Sequence, residues 1–341
     1  MYRAVGEEII EEEELKTLIK TKNAPICYDG FEPSGRMHIA QGILRSINVN
    51  RLTQAGCIFV FWVADWFALM NNKMGGDLNK IRIVGRYFIE IWKAAGMDLR
   101  NVKFLWASDE INKRSDEYWS MVIDIARKNT YQRIVRCSQI MGRSDKENLY
   151  AAQIMYPCMQ CADIFFLKAD ICQLGQDQRK VNVLAREYCD DIGRKDKPVI
   201  VSHHMIPGLT QDSQKMSKSV VDSAIFMEDS EEEVNRKIKK AFCPEKTTEN
   251  NPITDYCKHI VFPALGSMLL VRPEKWGGNL TYETYVDLER DYVEGKICAA
   301  DLKPSVALAL NKLIEPVRQH FKNDPYARRL LELVRSFQVT R

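Results

Sequence analysis

Two groups of residues have the types and spacing that phosphate binding requires. His38 and Gln41 stand three apart in the segment FEPSGRMHIAQG, which follows an apolar stretch and runs into a helical pattern. On a first helical turn, both side chains share a face and can donate to phosphate oxygens beside unpaired backbone amides. The alternative is a tight turn with a capping histidine.

The second group lies in the segment KMSKS, at residues 215–219. Lys215 and Lys218 are three apart in a loop with flexible flanks, so they can swing onto a triphosphate and neutralise charge as pyrophosphate departs. The alternative is a solvated basic loop. No GxxxxGK[ST] loop is present, which argues against a P-loop nucleotide hydrolase.

A third group combines polar side chains at helical spacing. Tyr156, Gln160 and Asp163 stand at positions i, i+4 and i+7, so a helix places them on one face. For Asp163 the alternative is an N-cap or a surface acid. The pair Cys158 and Cys161 has CxxC spacing, but no second pair follows, so we predict a pocket helix and no metal site.

The elements that must position these groups follow a regular pattern. Short apolar segments predict buried strands at 25–28, 57–64, 102–107, 169–174 and 198–203. The run at 57–64 is unbroken, which indicates cover on both faces, as in a parallel sheet. Apolar residues at helical spacing predict intervening helices at 39–55, 78–96 and 179–192. This alternation predicts an α/β domain with a doubly wound, Rossmann-like parallel sheet.

The pattern becomes helical beyond Ser223. Ser230 followed by three glutamates predicts a capped helix start, and further helical spacing occurs at 282–292, 307–321 and 326–337. We therefore predict a first domain over 1–224 and a mainly helical domain over 225–341. At the other end of the chain, residues 6–20 predict an amphipathic helix with a solvated acidic face.

Composition excludes several classes of protein. The 341 residues carry 49 Lys and Arg against 46 Asp and Glu, a net charge of +3, too small for a polybasic nucleic-acid binder. Apolar content of 45% excludes intrinsic disorder. The longest apolar run, 57–64, is too short for a membrane span, and the acidic start is unlike a signal peptide. Ten scattered cysteines indicate reduced thiols in the cytoplasm.

Taken together, the motifs resemble one family. The segment HIAQ is similar to the HIGH signature, and KMSKS matches the second signature, of class I aminoacyl-tRNA synthetases. The stretches YPCMQCAD (156–163) and GQDQRK (175–180) resemble the amino-acid pocket of tyrosyl-tRNA synthetases of the eukaryotic and archaeal type. The resemblance covers essentially the whole chain.

The resemblance implies a role for each matching residue. Tyr28 and Asp163 are expected to bind the substrate phenol. The residues expected around its ammonium group are Tyr156, Gln160 and Gln178. Those expected to bind ATP are Gly30, His38, Gln41, Gly175, Asp177, Met205, Lys215 and Lys218, and of these His38, Gln41, Lys215 and Lys218 are the expected catalytic residues. Those expected to bind tRNA are Arg179, at the acceptor stem, and Trp276 and Asp301, at the anticodon.

The resemblance also implies a reaction and partners. The expected activity is a tyrosine–tRNA ligase that uses ATP with Mg²⁺, without a tightly bound protein metal site, and binds tRNA but neither DNA nor a membrane. A homodimer is expected, with its interface in a connective segment at about 119–165. The KMSKS loop is expected at 207–222, and 225–341 is expected to bind the anticodon.

The sequence departs from the family pattern at three places. Gln41 is a neutral amide at the fourth position of HIGH, Val220-Val221 follows KMSKS where relatives often have Asp-Pro, and Cys298 stands where relatives can have histidine. Two other functions stay open on sequence alone. One is a tryptophanyl-tRNA synthetase, and the other is an inactive homologue that only binds RNA or protein. Tyr28 with Asp163 favours tyrosine, and the intact lysines favour an active enzyme.

Overall fold

The computed structural model of this chain describes residues 2–142, 148–211 and 222–337. Lys215 and Lys218 therefore lie outside the described residues, as does most of the predicted KMSKS loop. Within the described ranges, the molecule has a central mixed sheet covered by helices, followed by a mainly helical region.

The central sheet has the order β1-β6-β5-β2-β3-β4. Its strands are β1 (Glu8–Ile10), β2 (Ile26–Phe31), β3 (Ile58–Val63), β4 (Val102–Trp106), β5 (Ile171–Cys172) and β6 (Val199–Ser202). All neighbours pair in parallel except β1, which is antiparallel to β6. The chain reverses its direction of winding between β2 and β5. In doubly wound folds, ligands bind at the carboxyl ends of the strands at this point.

Helices cover both faces of the sheet and continue beyond it. Those of the first part are α1 (Glu12–Thr21), α2 (Arg45–Gln54), α3 (Asp65–Met70), α4 (Leu78–Ala94), α5 (Ala107–Lys113), α6 (Ser115–Lys128), α7 (Tyr131–Cys137), α8 (Ala151–Phe166) and α9 (Arg179–Asp191). Those of the second part are α10 (Glu231–Lys240), α11 (Pro252–Tyr256), α12 (Phe262–Leu265), α13 (Tyr285–Val293), α14 (Ala299–Asn323) and α15 (Pro325–Ser336). A short hairpin of β7 (Met268–Leu270) and β8 (Leu280–Tyr282) lies among the latter.

The predicted strands are confirmed, and β3 explains why its sequence is apolar throughout. Phe59 and Phe61 join the hydrophobic cluster on one face of the sheet, which includes Trp92. Val60 and Trp62 join the cluster on the opposite face, together with α6 and α8. Because both faces are covered, neither face tolerates polar side chains. The predicted α/β class, with its doubly wound sheet, is confirmed.

Three predicted element boundaries were wrong. Residues 6–20 do not form one helix, because residues 8–10 pair with β6 and Glu11 adopts a φ of 66°, which separates the strand from α1. Tyr282 ends β8, and the helix expected from there begins at Tyr285. The helix expected at 307–321 is longer, because α14 starts at Ala299 and continues through two prolines. By contrast, Ser230 caps α10 as predicted.

Candidate active site

A cavity of about 290 Å³ opens at the carboxyl ends of β2 and β5. It is lined by all the residues predicted to bind tyrosine or ATP that the structure describes, namely Tyr28, Gly30, His38, Gln41, Tyr156, Gln160, Asp163, Gly175, Asp177, Gln178 and Met205. These residues come from the end of β2, the HIAQ segment, helix α8 and the segments that follow β5 and β6. The structure therefore brings together in one cavity what the sequence distributes over nearly 180 positions.

One end of the cavity contains a fully buried carboxylate. Asp163 on α8 is 0% exposed, and its Oδ1 accepts a hydrogen bond of 2.8 Å from the hydroxyl of Tyr118 on α6. Its Oδ2 has no hydrogen-bond partner among the described residues. Tyr28 and Trp62 line the same cavity and are both 1% exposed. The surface and N-cap alternatives for Asp163 are wrong, because the residue lies in the interior of α8.

Burial controls the protonation of this end of the cavity. It raises the pKa of the Asp163 carboxyl well above its ordinary value, although the Tyr118 hydroxyl and the Trp62 indole partly offset that rise. Burial and the nearby Asp163 carboxylate also raise the pKa of the Tyr28 hydroxyl. A ligand hydroxyl that donates to Oδ2 would stabilise the ionised form of Asp163 and satisfy its unpaired oxygen.

The opposite side of this subsite is rich in hydrogen-bond acceptors. The Gln160 amide donates to Oε1 of Gln178 at 2.9 Å, and the Gln178 amide donates to the carbonyl of Ile140 at 2.9 Å. The Tyr156 hydroxyl donates to Oε1 of Glu32 at 2.9 Å. Amide and carboxylate oxygens suit an ammonium group, whose three protons all need acceptors.

Sequence reasoning missed Glu32 and Tyr118. Glu32 follows β2 directly, so its place at the carboxyl edge of the sheet was a usable signal. Tyr118 gave no such signal, because its contact with Asp163 joins two helices that lie 45 residues apart in the chain.

A close backbone approach shapes the other half of the cavity. A Cβ atom at Gly175 would lie 2.7 Å from the sulfur of Met205 and 2.8 Å from Oδ1 of Asp177. Nearby, the Gln173 amide donates to Nδ1 of His203 at 2.8 Å, and burial lowers the pKa of His203 to about 3. The wall beside Gly175 therefore combines bare backbone with a neutral imidazole, and a flat polar ring could lie against it.

The HIAQ segment takes a different local form from the predicted first helical turn. Residues Ala40–Leu44 form a π-helical turn that continues into α2. The carbonyl of Gln41 accepts from the Trp92 indole at 2.9 Å, while the side-chain oxygen of Gln41 is buried without a hydrogen-bond partner in the described chain. Isolated π-helical turns recur at functional sites because they redirect side chains. Here the turn contains Gln41 and directly follows His38 and Ile39, and both His38 and Gln41 line the cavity.

An ion pair beneath this turn was not predicted. Nε of Arg45 lies 2.9 Å from Oδ2 of Asp29, and both side chains are largely buried. Burial raises the pKa of Asp29 to about 7, against the opposing effect of Arg45. The pair places one positive and one titratable group on the cavity wall.

The residues predicted to bind tRNA lie outside this cavity. Nε of Arg179 donates to the Glu8 carboxylate at 3.0 Å. Asp301 belongs to the capping box of α14, where its carboxylate accepts from the Cys298 amide at 3.2 Å. Trp276 is 65% exposed, so its ring is not part of the hydrophobic core.

One cluster could hold a metal ion. Ligand atoms of His204, Asp255 and His259 lie within 4.8 Å of one another, and no other such group occurs in the parts of the chain described. Glu7 lies 3.1 Å from Nδ1 of His204. The imidazole rings of His204 and His259 stack with their centroids 4.1 Å apart.

The same cluster should make the free energy of unfolding depend on pH. Burial alone would lower the pKa of His204, but Asp255 and Glu7 outweigh it and raise that pKa. Burial lowers the pKa of His259 to about 4, and the nearby Lys258 contributes to that lowering. The His259 imidazole therefore titrates at a lower pH than His204. The stabilisation that His204 provides is therefore complete below about pH 6.5 and is lost as the pH rises through its raised pKa.

We expect His204→Asn to cost up to about 1 kcal/mol at mildly acidic pH and progressively less at alkaline pH. Urea denaturation of both proteins across this range measures the difference. A cost that is constant with pH would show that the histidine is not charged in the folded state.

Comparison with known proteins agrees with the fold. The family described as tRNA synthetases class I (W and Y) matches residues 20–315. The chain therefore belongs to the class I tRNA synthetases for tryptophan and tyrosine. Its relatives place it more closely, with the tyrosine–tRNA ligases of the eukaryotic and archaeal type. The predicted family and class of enzyme are confirmed.

Three similar proteins define this relationship. "Tyrosine--tRNA ligase 1, cytoplasmic" of Arabidopsis thaliana is 62% identical over 100% of this chain and 89% of its own length. The tyrosyl-tRNA synthetase of Leishmania major, solved with tyrosinol, is 56% identical with a TM-score of 0.93, covering 99% of this chain and 59% of its own. That of Pyrococcus horikoshii, solved with L-tyrosine, is 36% identical with a TM-score of 0.90, covering 98% of both chains. None of the described helices has the length and apolar content of a membrane span.

Proposed function

We propose that this chain activates L-tyrosine with ATP to give tyrosyl-adenylate and pyrophosphate, and then transfers tyrosine to the terminal ribose of its tRNA. The single observation that carries the proposal is the cavity in which Asp163, with one unpaired oxygen, faces the acceptor-rich group around Gln178. The phenol of tyrosine needs an acceptor such as the unpaired Asp163 oxygen, and its α-ammonium group needs several acceptors such as those around Gln178.

The phenol end selects for a hydroxylated ring. Phenylalanine would leave the buried Asp163 oxygen without a partner, and that loss costs far more than an unmade surface hydrogen bond. Tyr28 provides a second hydroxyl beside the carboxylate. At the other end, Tyr156, Gln160 and Gln178 surround the ammonium group, and the charge of Glu32 adds to their acceptors.

The ATP subsite extends from the HIAQ turn to the end of β6. Gly30 and Gly175 let the nucleotide approach bare backbone, Asp177 accepts from the ribose hydroxyls, and Met205 lies beside the adenine. His38 and Gln41 face the phosphates. The tyrosine carboxylate attacks the α-phosphorus, so the enzyme needs neither a general base nor a covalent intermediate and works by positioning and charge stabilisation.

The remaining contributions to the ATP subsite come from outside the described residues or from solvent. Lys215 and Lys218 neutralise the departing pyrophosphate. Mg²⁺ enters with ATP, bound mainly by phosphates and water. The relatives reported above support ATP-dependent chemistry through the class to which they belong.

Pyrophosphate exchange with separate aromatic amino acids tests this function. We expect exchange that depends on tyrosine and is far weaker with phenylalanine or tryptophan. Exchange with tryptophan instead would assign the chain to the other branch of the family. No exchange with any amino acid, together with retained tRNA binding, would identify an inactive homologue.

The helical part, 225–341, is proposed to bind the anticodon through Trp276 and Asp301, and Arg179 is proposed to meet the acceptor stem. Exposed aromatic rings bind base faces by stacking, and Lys275 lies 5.6 Å above the Trp276 ring, which adds charge for the phosphates. We also propose a homodimer through 119–165. Exposed apolar side chains of that segment support it, namely Ile123, Tyr131, Tyr150 and Met155.

We expect Trp276→Ala to lower kcat/KM for tRNA charging by about tenfold, because a stacking contact of about 1–3 kcal/mol is lost. Tyrosine-dependent exchange should not change, since Trp276 is exposed and is not among the residues that line the cavity. Tyr326→Ala is the matched control, because Tyr326 is also an exposed aromatic in the helical part, at 52%. Loss of both activities in Trp276→Ala would contradict the assigned role.

A further inference from the structure

The indole of Trp62 is buried in the cavity wall with its one polar atom unused. Trp62 is 1% exposed, and Nε1 has no hydrogen-bond partner in residues 2–142, 148–211 and 222–337. An indole N–H is only a donor, and native proteins rarely bury a donor without an acceptor. Its presence at a cavity wall indicates that the acceptor is part of a ligand.

A neighbouring acceptor, on Asp163, is also unpaired. Oδ2 of Asp163 is buried in the same wall and also lacks a partner in the described parts of the chain. The Trp62 indole N–H lies near enough to this carboxylate to favour its ionised form, although the contact does not reach the geometry of a hydrogen bond. An unpaired donor thus stands beside an unpaired acceptor. A hydroxyl group is the simplest ligand that satisfies both, because it donates one proton and accepts through a lone pair.

We propose that Trp62 is a specificity-determining residue for tyrosine. Its indole N–H donates to the phenol oxygen, while the phenol O–H donates to Asp163. This inference rests on the proposed function and adds to it a residue that the family resemblance did not assign. It makes the phenol oxygen an acceptor as well as a donor, so recognition depends on both properties of the hydroxyl.

Packing alone does not account for this residue. The Trp62 ring contacts Phe166 edge to face, with centroids 6.1 Å apart, within the cluster that also contains α6 and α8. A phenylalanine or leucine side chain would provide apolar contact without burying an unpaired N–H. The buried, unpaired N–H therefore destabilises the unliganded protein, and a hydrogen bond to the ligand offsets that free-energy penalty.

The substitution Trp62→Phe tests the proposal in pyrophosphate exchange. We expect kcat/KM for tyrosine to fall about tenfold, as for the loss of one buried hydrogen bond, with little change for phenylalanine. We also expect the preference for tyrosine over 4-aminophenylalanine to shrink, because an aniline nitrogen donates well but accepts poorly. Trp106→Phe is the matched control. Trp106 ends the neighbouring strand β4 and is not among the residues lining the cavity.

A second measurement uses the wild-type protein and does not depend on how the variant folds. In protein labelled with ¹⁵N at tryptophan, saturating tyrosine should shift one indole N–H resonance downfield, whereas phenylalanine should not. That resonance should be absent from the spectrum of Trp62→Phe.

Two results would overturn the proposal. An equal loss of kcat/KM for tyrosine and phenylalanine in Trp62→Phe would assign the residue to packing. An unchanged indole resonance on addition of tyrosine would show that the N–H meets no ligand oxygen. Both results are distinct from failure of the proposed function, in which the wild-type protein would not support exchange with tyrosine at all.

Discussion

Asp163→Asn is expected to raise KM for tyrosine by about 100-fold, as befits a hydrogen bond to a buried charged group worth about 1.5–3 kcal/mol. The asparagine carbonyl can still accept from the Tyr118 hydroxyl, which holds this position at 2.8 Å. Its NH₂ group would then face the cavity, so the phenol would meet a donor in place of an acceptor. KM for ATP should stay nearly constant, because the residues proposed for ATP come from other elements.

Steady-state pyrophosphate exchange, with each substrate varied in turn, measures both constants. Asp109→Asn is the matched control, because Asp109 is an exposed acid of α5 that pairs with Arg82 and is not among the cavity-lining residues. An unchanged KM for tyrosine in Asp163→Asn would refute the assignment of the phenol subsite. An equal rise in both Michaelis constants would indicate damage to the fold instead.

Arg36→Ala is expected to lower the free energy of unfolding by about 3 kcal/mol, because it removes a guanidinium that pairs with two buried carboxylates. Arg36 Nε lies 2.5 Å from Glu228 Oε1, and its Nη2 lies 2.9 Å from Asp229 Oδ1. The side chains of Glu228 and Asp229 are only 2% and 0% exposed. Lys237 and Tyr87 contact the same two acids, but they cannot replace the lost charge on the Arg36 side.

Urea denaturation followed by circular dichroism measures this loss. Arg100→Ala provides the control, since the Arg100 side chain is 86% exposed and its pair with Asp98 lies within one turn. We expect the control to leave the unfolding midpoint unchanged. Activity should also fall in Arg36→Ala, because Arg36 lies two residues before His38 and joins that loop to Glu228 and Asp229. A loss below about 1 kcal/mol would mean that water replaces the arginine, as in exposed pairs.

The parts of the protein that the sequence determines are those set by local chemistry. Unbroken apolar runs predicted the strands, because only a sheet covered on both faces buries every side chain of such a run. Helical spacing placed Tyr156, Gln160 and Asp163 on one face, and α8 presents all of them to the cavity. Motif resemblance identified the family. The predicted start of the first helix was wrong, because residues 8–10 pair with β6, which lies far away in the chain.

Tertiary structure alone decided which polar groups meet. A uniformly apolar strand such as β3 carries no alternation, so its sequence does not tell on which face Trp62 lies. The pairs Tyr118 with Asp163 and His204 with Asp255 join residues 45 and 51 positions apart, and no local preference brings them together. Sequence therefore determined the elements and the family, because both depend on short-range patterns. Only the packing of the elements decided which donors and acceptors stay unpaired, because the partners of a polar atom in the cavity come from all the elements around it.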